Sequence, residues 1–95
     1  MEDRIMSQHP ENKQGTHIRR DKYEQMYSAI EQALQEKGPL GFKALNEAVH
    51  QKLEGNFEGS IGWYFTTVKL DLEARGVVVC ERKPGQTQMI HWIKN

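Results

Sequence analysis

Residues 60–78 read Ser60-Ile61-Gly62-Trp63-Tyr64-Phe65-Thr66-Thr67-Val68-Lys69-Leu70-Asp71-Leu72-Glu73-Ala74-Arg75-Gly76-Val77-Val78, and this stretch decides the fold. Stepped at about 100° per residue, Ile61, Phe65, Val68 and Leu72 share one side of a helix, the stripe that a helix buries. Ser60 stands where an N-cap hydroxyl accepts from the free amides of a first turn. Gly76 stands at the C′ position, where a residue without Cβ closes the last turn. The run that begins at Val77 is β-rich, so a strand follows with almost no linker. The stretch therefore predicts a helix over 61–75 running straight into a hairpin.

Upstream, Phe42, Leu45, Val49 and Leu53 fall within about 80° of one another on the same wheel, which predicts a helix over 42–53. Glu54-Gly55-Asn56 stops it, and Gly59-Ser60 offers the next start. Earlier still, Tyr23, Met26, Tyr27, Ile30, Ala33 and Leu34 recur at three- and four-residue steps, a first helix with Asp21 as its expected cap. Gly38-Pro39 ends that helix, and Leu40-Gly41 reads as a short link. Downstream, Val77 to Arg82 and Gln88 to Ile93 read as strands around the turn Lys83-Pro84-Gly85-Gln86-Thr87. Residues 1–20 lack periodicity and carry Pro10 and Gly15 as breakers, so they read as an extended or partly disordered arm on a domain over 21–95. The expected class is α+β, mainly α: a three-helix bundle followed by a two-stranded hairpin.

Two helices joined by a short glycine-containing turn and followed at once by a hairpin have the layout of a winged helix-turn-helix. Phe65 to Val78 resembles the recognition helices of winged-helix regulators, which commonly end in a similar Leu-Glu-x-x-Gly and two apolar residues. More narrowly, Gly38-Pro39-Leu40, Phe57-Glu58-Gly59-Ser60 and Gly62-Trp63-Tyr64, with the segment from His9-Pro10 to Lys22, resemble a small bacterial winged-helix family of unknown function. The broader resemblance implies a DNA-binding transcriptional regulator with helix 61–75 in a major groove about 12 Å wide. On that pattern Gly62, Trp63, Thr66, Thr67 and Lys69 meet the groove, and Arg82, Lys83, Gln86 and Thr87 in the wing meet phosphates. Fold alone does not license function, since some winged helices serve only protein contacts.

The charge pattern tempers the DNA expectation. The chain is neutral overall, so it exerts no general attraction on a polyanion. Five bases face four acids in residues 1–22, five face eight in 23–75, and three face one in 76–95. The helical middle is thus acidic, and Asp71 and Glu73 on the third helix would repel phosphates if they faced the groove. Trp63 and Leu70 lie about 180–200° from the buried stripe, where an exposed tryptophan and leucine point to a protein or dimer surface. The hairpin adds to this. Val77 and Val79 alternate with Val78 and Cys80, and Met89 and Ile93 with Ile90 and Trp92, leaving both sheet faces apolar and in need of cover. The helical core is one cover; the arm or a second subunit is the expected other, which predicts a homodimer with Trp92 on its partner surface. The second functional expectation is therefore a protein-assembly module that does not bind DNA.

Other classes receive little support. A chain of 95 residues with 37 % hydrophobic and 27 % charged side chains is one small globular domain. No apolar run reaches the roughly 20 residues of a membrane span, and the N-terminus lacks the apolar stretch of a signal peptide. The lone Cys80 fits a reducing compartment, so the expected location is the cytoplasm. His9, His17, His50 and His91 have no metal-ligand spacing, and Gly55, Gly59 and Gly62 are spaced for turns rather than a phosphate loop. No enzyme, metal, cofactor or small-molecule ligand is expected.

Overall fold

The three apolar stripes become three helices in the computed structural model, which describes residues 4–7, 16–81, 85 and 88–94. Helix α1 spans Arg20–Lys37, α2 spans Phe42–Leu53 and α3 spans Ile61–Ala74. Helix α1 starts one residue before the expected cap. Arg19 is the N-cap and supplies no side-chain bond, while Asp21 accepts from its own neighbour's amide, Lys22, and pairs with Arg19 at 3.0 Å. The strand that leads into the helix brings Arg19 beside Asp21, so the carboxylate serves the junction from inside the first turn.

Gly38 ends α1 at φ 76°, a left-handed conformation that glycine takes at no steric cost, and its N–H donates to the Leu34 carbonyl at 2.8 Å. The chain then bends at Pro39. Leu40–Gly41, expected as a link, forms a short strand β3. The hairpin contributes β4 (Val78–Glu81) and β5 (Met89–Trp92). All pairs are antiparallel, Leu40 lies opposite Ile90, and Cys80 lies opposite Ile90 from the other side, so the order is β3–β5–β4. Two residues are too few to show an alternating pattern, which is why this strand is invisible in sequence.

The described residues of the arm are also built into the fold. Arg4–Met6 (β1) and His17–Arg19 (β2) pair antiparallel, with Ile5 opposite Ile18. Ile18 is buried in the core, and both strands lie against α1. They do not lie on the outer face of the β3–β5–β4 sheet, where Val79 remains exposed, so the described arm residues are not the second cover. The core is one cluster, centred on the fully buried Met26, Ile30, Leu45, Val49, Phe65, Val68, Leu72 and Ile90. The architecture is α+β and mainly helical, and no helix among the described residues is long and apolar enough to cross a membrane.

Candidate interaction site

Helix α3 begins as its sequence dictates: the Ser60 hydroxyl accepts from the Trp63 amide at 3.2 Å. It ends at the Arg75–Gly76 corner, where Gly76 takes φ 76° and the Val77 N–H reaches back to the Leu72 carbonyl at 2.8 Å. Phe65, Val68 and Leu72 face the core with no exposed surface. The opposite side is then fixed by helical geometry. Trp63 and Thr66 are exposed there, and Thr67, Leu70 and Ala74 are half-buried. Trp63 retains 48 % of its surface, as its place opposite the buried stripe implies.

The two flanks of this stripe hold the charges of α3: Lys69 and Asp71 turn inward, while the Glu73 side chain stays 26 % exposed. On one side Asp71 has no exposure at all. Its carboxylate accepts from the Tyr23 hydroxyl at 2.5 Å and from Arg75 Nε at 2.8 and 2.9 Å. Arg75 also donates from Nη2 to the Met6 carbonyl of β1 at 3.2 Å, so α1, α3 and the arm converge on one acid. Burial pushes the Tyr23 hydroxyl well above its ordinary value of 10.0, and the bond and charge of Asp71 add to that. The Asp71 hydrogen bond likewise holds Arg75 above its ordinary range. Asp71 does not face outward, because its position beside the buried stripe points at Tyr23 rather than at solvent.

On the other flank Lys69 is 7 % exposed. Its ammonium lies 3.5 Å from Glu73 and 5.8 Å from the centre of the Phe42 ring. Lysine can lay its stem along apolar surface, and here the stem follows the edge of the core. Lys69 is therefore placed away from the outward face on which it was expected. Cys80 lies close by, half-buried, its thiol pushed up by burial against a lowering influence from Lys69.

An aromatic row braces the N-terminal end of α3. Trp63 meets Tyr64 edge-on at 4.9 Å, Tyr64 meets Phe57 edge-on at 5.2 Å, and Lys22 stands 4.5 Å above Phe57. Trp92, expected on the partner surface, faces the helices instead: it packs edge-on against Tyr27 at 5.4 Å and leans on the core. The register explains the correction, since Trp92 lies opposite the buried Val78 and shares its face. Of the residues expected to contact DNA or a partner, Trp63, Thr66, Thr67 and Leu70 are thus brought together on one face, and Lys69 and Trp92 are not. Arg82, Lys83, Gln86 and Thr87 lie outside the described residues.

A shallow, open groove of about 540 Å³ runs beside α1, lined by Asp21, Glu24, Gln25, Ser28, Lys52 and Leu53 among others. Among the described residues, no three of His, Cys, Asp and Glu gather as a metal-ligand set. The network around Asp71 is what sequence reading missed; its only trace was an acid one position short of the apolar stripe, four residues before an arginine.

Comparison with curated proteins and with solved structures finds no match. One family model does match, that of a family of unknown function, DUF6958, over residues 4–88. The match takes in the arm, all three helices and β4, and on that extent the chain belongs to the DUF6958 family.

Proposed function

We propose that this chain is a small winged-helix domain whose α3 outward face meets another protein rather than duplex DNA. The winged-helix reading is supported by the element order and by the sheet, in which a strand between the first two helices pairs with the last strand. The observation that carries the protein-contact reading is the stripe Trp63, Thr66, Thr67, Leu70 and Ala74, which contains no charge. Helices that read DNA rely on cations and amides facing the groove. Here Lys69 is engaged by Glu73 and Arg75 by Asp71. A half-exposed tryptophan among small residues is the kind of anchor that dominates protein interfaces. The neutral chain supplies no long-range field to compensate.

A second reading, DNA binding in transcriptional control with α3 in the major groove, keeps support from particular residues. The neighbouring Thr66 and Thr67 can hydrogen-bond base edges, and Asp71 is withdrawn from the face it would have blocked. Arg82 and Lys83 in the turn sequence supply bases for phosphates. Titrating a labelled random-sequence duplex with the full chain at about 50 mM salt, where electrostatic binding is strongest, separates the two. The protein reading expects no binding up to about 100 µM. Micromolar binding that weakens steeply with salt and is lost on Thr66→Glu would overturn it in favour of DNA.

A further inference from the structure

We infer that the partner of the α3 face is a second copy of this chain, packed as an antiparallel helix pair about a two-fold axis. The inference rests on the protein-contact reading above and names its partner. Trp63, Thr67, Leu70 and Ala74 follow one another at steps of four, three and four residues. That is the spacing of a two-stranded helical seam, in which each side chain enters a gap on the facing helix. Reversed on itself, the stripe matches large against small: Trp63 of one copy falls opposite Ala74 of the other, and Thr67 opposite Leu70. A parallel pairing would set tryptophan against tryptophan and alanine against alanine, one crowded layer and one empty one. Alanine and threonine also allow the axes to approach to about 8–10 Å, the range of close helix packing.

Charge favours the same arrangement. Two copies carry identical seams, so a seam with unpaired charges of one sign would repel its copy. The stripe has none, and its flanking charges are neutralised within each copy, Lys69 by Glu73 at 3.5 Å and Arg75 by Asp71 at 2.8 Å. The outer face of the sheet is less suited, because Val79 there neighbours the Glu81–His91 pair at 3.6 Å.

Area sets the expected strength. A helix of 14 residues is about 21 Å long, so one helix pair buries less than the roughly 1,200 Å² of a stable specific interface. The dimer should therefore be weak, with a dissociation constant on the order of 10–100 µM.

The test is sedimentation equilibrium of the full chain from about 5 µM to 1 mM, with far-UV circular dichroism confirming that each variant is folded. The wild type should pass from monomer to dimer across this range. Ala74→Trp sets two tryptophans against each other and should weaken association at least ten-fold, as should Trp63→Ala. The double variant Trp63→Ala/Ala74→Trp exchanges large for small at both ends and should regain most of the wild-type association. A monomeric wild type at 1 mM overturns the inference, as does a dimer indifferent to both single changes or a double variant no better than Ala74→Trp. Duplex binding in the assay above is a separate failure, since it removes the protein-contact reading itself, whereas a monomer that ignores DNA removes only the self-pairing.

Discussion

Asp71 shows how much one buried side chain can reorganise a reading of charge. It has no exposed surface, yet it is satisfied by a phenol and a guanidinium from different parts of the chain. Losing one hydrogen bond to a buried charged group costs about 1.5–3 kcal/mol, so Tyr23→Phe should lower stability by that order at pH 7. The pH dependence follows from the raised Tyr23 hydroxyl. Below about pH 9 the phenol is neutral folded and unfolded, and the full contribution is present. Above its ordinary value of 10.0 the unfolded chain releases a proton that the folded chain keeps, so stability falls as pH rises. Tyr23→Phe should therefore begin less stable but lose less between about pH 9 and 11 in urea titrations. Parallel curves for variant and wild type would remove this role from Tyr23.

At the scale of elements, the helices were legible and the short strands were not. Helix ends at Lys37, Leu53 and Ala74 fall within two residues of the expected breakers, because glycine and proline act locally through φ and a missing N–H. The arm was legible only as polar and extended. Its pairing rests on Ile5 opposite Ile18, two residues separated by a long polar stretch that no periodicity connects. Ile18 anchors it at 2 % exposure. Ile18→Ala should cost about 2–4 kcal/mol, roughly 10–20 °C in Tm, by emptying a core site. Met6→Ala on the same hairpin, with 45 % of its surface exposed, should change stability by less than about 1 kcal/mol. Equal losses in thermal melts would mean that the hairpin is not docked through Ile18.

For the whole molecule, the question is whether arm and bundle form one cooperative unit. The Ser7 amide donates to Thr16 at 2.8 Å, Arg75 holds the Met6 carbonyl, and Asp71 joins α3 to α1 through Tyr23. With those links, the arm should unfold with the rest. Hydrogen exchange at the Ser7 amide and at amides within α1 should report opening free energies within about 1 kcal/mol of each other. Fast exchange at Ser7 beside a protected α1 would show that the arm opens alone.

By itself the sequence determined the helices, their order, the hairpin and the outward face of α3, since these follow from spacing, caps and breakers that act over a few residues. It also placed Trp63 and Leu70 opposite the core, because a helix carries direction with it. Only the tertiary structure decided where the flanking charges go. Lys69, Asp71 and Arg75 stand at the border of the buried stripe, where a local pattern permits either solvent or interior. Their choice depended on Tyr23, Phe42 and Met6, which are distant in sequence and adjacent in space. Trp92 was decided in the same way, by the register that set it beside Val78 and over Tyr27. Long-range contacts of this kind arise from packing, which local sequence does not encode, and they left α3 with an uncharged face.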